Sequence, residues 1–299
     1  MKALPHPLEW HALAHGQRGV PTVRGEIVAV GALDRLHVWR GDALVAQAES
    51  TLRSPGRPQV CGAVIGWGCG RLDRHSLRFS PTPNLVAAFA HGMGEPVPPS
   101  LPGTWLPQAW AWNPRGERML VSVEWHTPRS GGARALLVAA DGTLRAVLRE
   151  DACASVQAAC LGERFAILGS ARALVHDADG VLLRRLPNAA PALRLELSAD
   201  ESRLLLTEYG RITLYDTGSW QACAVWTGSW IDAALMPDAG AVFASDAAGR
   251  LARLDAAQPA AALEWLATPS PVQAIAVDAQ RVVAVFARGD PLACAWLAG

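Results

Sequence analysis

The sequence predicts an all-β fold: a seven-bladed β-propeller of four-stranded antiparallel blades, its ring closed by pairing an N-terminal strand with the C-terminal blade. Three observations predict it. Residues 191–228 hold four short apolar runs separated by turn residues, and four strands in under about 40 residues make one blade. Corresponding points of that unit recur about every 37–41 residues through the C-terminal half. The last unit stops one strand short, while Pro7-Leu8-Glu9-Trp10 closely matches Ala262-Leu263-Glu264-Trp265 on the final strand of the preceding unit.

The clearest unit shows how each strand is read. Leu193, Leu195 and Leu197 alternate with Arg194 and Glu196, which suits a strand with one buried face. Leu204-Leu205-Leu206 is continuous, as in a strand covered on both sides. Ile212 and Leu214 alternate with Thr213 and Tyr215, and residues 220–226 supply the fourth run. Turns fall at 199–202, 209–211 and 216–219.

Taken in order, blade one spans residues 20–49. Its clear strands are 26–30, 35–40 and 43–48, with a hairpin at Gly41-Asp42 and a weak inner strand near 20–23. Blade two covers 51–91, with strands at 60–67, 72–79 and 84–90. The glycines among residues 66–70 point to a bulge or a close backbone approach. If this unit is irregular, the count falls to six. Residues 92–103 (GMGEPVPPSLPG) read as a long loop rather than a domain linker, because the repeat resumes after them; the chain is one domain, 1–299. Blade three, 104–150, has strands at 108–112, 118–125, 134–139 and 143–148, with an insertion at 127–132. Blade four is 153–187, blade five the unit above and blade six 229–268. In blade six, residues 260–267 have a helical composition but occupy the fourth-strand position, and are read as strand. Blade seven is 271–299 plus the N-terminal strand. A helical fold does not fit, since the apolar period is two rather than 3.6.

Composition narrows the function. The formal net charge is zero, so no global field draws in nucleic acid or acidic lipid. Lys2 is the only lysine; the arginine bias, with abundant Ala, Gly and Pro, reflects a GC-rich coding genome. The first residues are interrupted by Pro5, Pro7 and Glu9, so no signal peptide is expected. No apolar run approaches the ~18 residues of a membrane span. A cytoplasmic location is expected. The six cysteines form no CxxC pair and are read as buried thiols.

The run Leu214-Tyr215-Asp216-Thr217-Gly218-Ser219-Trp220 resembles the third-strand ending of WD40-like and quinoprotein-like propeller repeats. Residues 175–180 (VHDADG) and 251–255 (LARLD) are weaker versions. The strict Gly-His and terminal Trp-Asp pairs of WD40 repeats are missing from every blade, and the tryptophan-docking repeat is not regular. The resemblance implies a divergent bacterial member of that superfamily. It further implies an accessory component of a multi-protein, ATPase-linked system.

No phosphate loop, GxSxG elbow or HExxH motif is present. His6, His11 and His15 are the nearest approach to a metal cluster. On a strand, residues four apart lie ~13 Å apart, too far to share one ion. Asp141, Asp177 and Asp179 sit in glycine turns, which turn formation alone explains. No cofactor or metal is expected. Glu124-Trp125-His126 ends a strand with a carboxylate and an imidazole, read as ordinary polar residues rather than an acid–base pair.

Of twelve tryptophans, Trp39, Trp67, Trp112, Trp226, Trp265 and Trp296 are expected between blades. Trp105 and Trp230 each follow a small-residue turn and open a first strand, at one mouth of the channel. With Trp125, His126 and Arg129 they form the candidate interaction surface, since aromatic and arginine side chains anchor protein interfaces. The sequence thus points to a non-catalytic protein-interaction scaffold. The alternative, a propeller hydrolase or lactonase with a channel-mouth metal, requires inward carboxylates, whereas the inner strands read as mostly apolar.

Overall fold

Short apolar runs pair in chain order into seven antiparallel sheets of four strands. The structure, a computed structural model, describes residues 8–13, 19–32, 35–49, 57–61, 64–93, 105–113, 115–126, 131–148, 157–168, 172–187, 192–289 and 291–297. The first strand is β1 (Trp10–Ala12). Blade one follows as β2 (Val20–Arg24), β3 (Ile27–Ala32), β4 (Arg35–Arg40) and β5 (Ala43–Glu49). Blade two is β6 (Gln59–Cys61), β7 (Val64–Trp67), β8 (Gly70–Asp73) and β9 (Phe79–Pro81), followed by α1 (Leu85–Met93). Blade three is β10 (Trp105–Trp112), β11 (Arg118–His126), β12 (Gly131–Ala139) and β13 (Leu144–Leu148). Blade four is β14 (Gln157–Leu161), β15 (Arg164–Leu168), β16 (Arg172–His176) and β17 (Leu182–Pro187). Blade five is β18 (Ala192–Leu197), β19 (Arg203–Glu208), β20 (Arg211–Asp216) and β21 (Ala222–Thr227). Blade six is β22 (Trp230–Leu235), β23 (Ala241–Asp246), β24 (Leu251–Asp255) and β25 (Glu264–Leu266). Blade seven is β26 (Val272–Val277), β27 (Arg281–Phe286) and β28 (Leu292–Trp296), completed by β1.

The blades go round a common axis. The first strands touch in succession: β2, β6, β10, β14, β18, β22, β26 and back to β2. The fold is a seven-bladed β-propeller. One apolar cluster fills each junction between neighbours. Between blades five and six, for example, Leu205, Ile212 and Trp226 meet Ala233, Val242 and Leu254. Burial of such faces drives the assembly, at about 25 cal/mol per Å² of apolar surface. No described helix is long and apolar enough to cross a membrane.

The ring closes as the sequence predicts, two residues further along: β1 pairs with β28 through Trp10↔Ala295, His11↔Cys294 and Ala12↔Ala293. Trp10 meets the Phe286 ring edge-on at 5.2 Å, and its Nε1 donates to the Ala267 carbonyl of blade six at 3.0 Å.

Blade two differs most from expectation. The run read as one strand at 60–67 is split into β6 and β7, and 72–79 into β8 and β9. The predicted strand at 84–90 is the helix α1. Its buried residues Leu85, Ala88 and Phe89 follow a helical spacing and pack on Trp110, Val121 and Leu136 of blade three. Gly66 marks a close approach rather than a bulge, since a Cβ there would lie 2.4 Å from the Trp112 ring. In blade six only Glu264–Leu266 of the run at 260–267 is strand. Trp39, Trp67, Trp112 and Trp226 are buried as expected, but Trp265 and Trp296 are 43% and 54% exposed. Trp265 stands on the outermost strand of blade six and Trp296 at the end of the third strand of blade seven, each with an arginine over its ring, Arg250 and Arg281. Of the cysteines, Cys69 and Cys294 are buried, Cys160 is half-buried and Cys223 is exposed.

Trp10 fastens three residues of strand to the ring, so its loss should be felt throughout. Trp10→Ala is expected to lower stability by about 2 kcal/mol, since it is only half-buried and full aromatic truncations cost about 3–5. His11→Ala, at an exposed neighbour, should change it by less than about 0.5. Denaturation midpoints of both variants check this.

Candidate functional site

Two ends of the ring carry distinct chemistry. At one end, blade three stands out. Its middle strands β11 and β12 have nine residues each, against six in β19 and β20 of blade five. Both blades start these strands from equivalent turns, in which the N–H of Asn113 bonds Arg118 O and that of Ser198 bonds Arg203 O. The three extra residues therefore extend the far end of the hairpin by about 10 Å, at ~3.4 Å per residue. The expected insertion at 127–132 is thus partly strand: Trp125 pairs with Gly132 and His126 with Gly131.

The inner strand β10 is also long and lies along this extension, with Trp105 opposite Trp125 and Leu106 opposite Glu124. The fold thereby brings together three predicted residues, Trp105, Trp125 and His126, at one corner of blade three. Arg129 lies outside the described residues, as do His6, His15, Cys153 and residues 94–104. The hairpin is braced from behind by α1. Arg134 Nη1 donates to the Gly92 carbonyl at 2.9 Å, and Gly92 fits directly against Leu136.

Trp230 does not belong to an exposed surface. It is 2% exposed and stacks on Trp265 at 6.2 Å within the junction of blades five and six. A ring that opens a first strand can fold back over the neighbouring sheet, and Gly228 leaves room for this one: a Cβ there would sit 3.0 Å from its Nε1.

The channel itself holds an ion network that the apolar reading of the inner strands missed. Arg194 and Asp232 occupy equivalent places on β18 and β22, each just after a β-bulge. A bulge re-aims the residue beside it, here toward the channel. Arg57, ahead of β6, donates from Nη2 to Asp232 Oδ2 at 3.1 Å. Its Nη1 donates to the carbonyls of Pro21 and, at 2.8 Å, Ile275. Arg194 donates to Ile275 O at 3.1 Å and pairs with Glu196 at 2.9 Å and with Asp232 at 3.4 Å. Asp232 also accepts the N–H of Ile275 at 2.9 Å and that of Ala233 at 3.0 Å. Burial, and then the adjacent Arg194 charge, pull the Arg57 pKa down to about 10.

These contacts follow a rule. The channel-side edge of every inner strand has backbone groups with no ladder partner, and buried ones must be paired. A side chain from one blade supplies the partner for the next. Gln59 accepts the N–H of Trp112, Glu196 that of Leu235 at 2.9 Å, and Asp232 that of Ile275. Arg24 Nη1 donates to Val60 O at 3.2 Å. The signal was present in the sequence: a charged residue on a first strand faces the channel, not open solvent, and Asp232 is the one acid in an otherwise apolar strand.

Above this floor lies a cavity of about 500 Å³. It is lined by the C-terminal ends of inner strands and the turns after them, including Arg24, Glu196 and Leu235, and in blade two by the segment that opens β6, including Gln59. It therefore sits at the end of the channel opposite Trp105, which begins its strand. Among the described residues no group of three or more His, Cys, Asp or Glu is placed to hold a metal. Asp177 instead bonds the N–H groups of Asp179 and Val181 in its own turn.

No family model and no curated protein matches the chain. Among solved structures 1356 chains match, so the architecture is widely shared and does not by itself select a function. One of them, a chain in the crystal structure of a mitotic checkpoint complex, has a TM-score of 0.63 at 12% identity. It covers 100% of this chain and 96% of that one. At such identity the likeness is one of fold.

Asp232 compensates two guanidinium groups at once. Asp232→Ala is expected to cost about 3–5 kcal/mol, as for other buried pairs broken on one side. Asp232→Asn, which still accepts from Ile275, should cost less. Chemical denaturation of the two variants orders them.

Proposed function

We propose that the protein is a non-catalytic recognition module that binds a protein partner through the extended hairpin of blade three. The observation that carries this reading is the β11–β12 pair, nine residues a strand and longer than the middle strands of blade five, which places Trp125 and His126 on its extension with Trp105 opposite Trp125. Rigid strands braced by α1 lose little entropy on binding, so an anchor presented this way contributes more of its contact energy. Tryptophan is among the residues that dominate interfaces. The channel chemistry supports a structural rather than catalytic role there, since both oxygens of Asp232 are engaged by N–H and guanidinium donors. A general base needs a free lone pair within reach of a proton.

The resemblance to bacterial propellers supports a finer reading: a cytoplasmic accessory component of an ATPase-linked assembly. The unbridged thiols of Cys69, Cys223 and Cys294 are compatible with a reducing compartment.

The test shortens the hairpin while keeping it closed. Replacing residues 125–132 by Asn-Gly leaves Glu124 opposite Ala133 across a two-residue turn of favoured type. The variant should unfold at the same denaturant concentration as the parent. It should lose at least tenfold in capture of its partner from extracts of the native host, as should a Trp105→Ala, Trp125→Ala double variant. Undiminished capture by both would refute the reading.

A further inference from the structure

The cavity at the other end of the channel is lined by three arginines and three acids, but one of the arginines is not paired with an acid among the described residues. Its floor is Arg57 and Arg194, which are matched by Asp232 and Glu196 at 3.1 and 2.9 Å. The two acids of its rim also have partners: Glu201 lies 3.4 Å from Arg164, and Asp278 3.8 Å from Arg281. One charged residue of the lining is left over. Arg24 forms no ion pair among the described residues, and its recorded bond is to the neutral carbonyl of Val60. Its side chain is exposed at the cavity mouth.

The surroundings of Arg24 are donor-rich. Thr22 and Arg24 are two apart on β2 and so share a face, and Arg57 and Gln59 come from the adjoining segment of blade two. All four line the cavity. The acids stand on blades five and seven, each within 4 Å of an arginine. A guanidinium fork matches the two oxygens of a carboxylate. One cation without an ion pair among the described residues, with three acids in the same lining, favours a monoanion over a dianion such as phosphate. A volume of about 500 Å³ is within the 300–1,000 Å³ of small-molecule sites.

We propose that this cavity binds a monoanionic carboxylate through Arg24, either as a free small organic acid or as the carboxylate ending an inserted peptide. This site is independent of the hairpin of blade three, which lies at the opposite end of the ring.

Calorimetric titration at fixed ionic strength tests it on the whole protein. The probes are acetate, benzoate and hippurate; a pentaglycine with a free C-terminus; its C-terminal amide; and inorganic phosphate. Saturable binding by the free acids, weakened at least tenfold in Arg24→Ala, supports the site with a small-acid ligand. Binding by the pentaglycine acid alone, lost in the same variant, supports it with a chain end. No saturable binding by any carboxylate overturns the proposal, as do phosphate or the amide binding as well as the acids, or an unchanged affinity in the variant. Arg24→Gln, which keeps a donor for Val60 O, serves if the alanine variant does not fold, and Arg24→Lys should retain part of the affinity.

Discussion

Burial of sheet faces between neighbouring blades is the constraint on which everything else rests. A four-stranded sheet with apolar residues on both sides cannot bury them unaided, and ordering each residue costs about 1–2 kcal/mol of backbone entropy. Here every junction is filled by one cluster drawn from the two blades that flank it. A circular arrangement leaves no terminal face, provided the circle is complete. That is why three residues of N-terminal strand matter: they supply the fourth strand of blade seven, next to blade one, and Trp10 also reaches a carbonyl of blade six.

The ring creates a second requirement at its centre. Seven inner strands converge with one unpaired edge each, and those edges need partners. The solution is polar but specific to each junction: Gln59, Glu196 and Asp232 each serve the blade that follows. The bulges ahead of Arg194 and Asp232 turn these side chains inward. The same polar lining that completes the fold also shapes the cavity in which Arg24 stands.

Much of the architecture was legible because its signals are local. Alternation in residues 193–197, the continuous Leu204–Leu206 run and the Asp-bearing turns repeat at a spacing that strands alone explain. The matching Leu-Glu-Trp segments at the chain start and in blade six pointed to the closing strand. Blade two was misread because β6 to β9 have only three or four residues each, too few for alternation to be counted. The α1 segment is rich in alanine, and its helical spacing of Leu85, Ala88 and Phe89 was masked by its place in the repeat. Of the site, the pairing of Trp105 with Trp125 depends on how far a hairpin continues, which turn residues do not reveal. Trp230 was misplaced because the same local setting, a small-residue turn before a first strand, leaves the direction of the ring to the neighbouring blade. The ion network escaped because Arg57, Arg194 and Asp232 are separated by 175 residues of sequence at the widest, and only closure of the circle makes them neighbours.

Arg57 has one further consequence. Although it comes from the second blade, its guanidinium touches the first, sixth and seventh, and so lies across the axis like a crossbar. One side chain thereby ties the second blade to the inner strands of three others. A displacement of that one guanidinium would be felt at four places on the inner wall at once, so the wall of the channel moves as a unit or not at all.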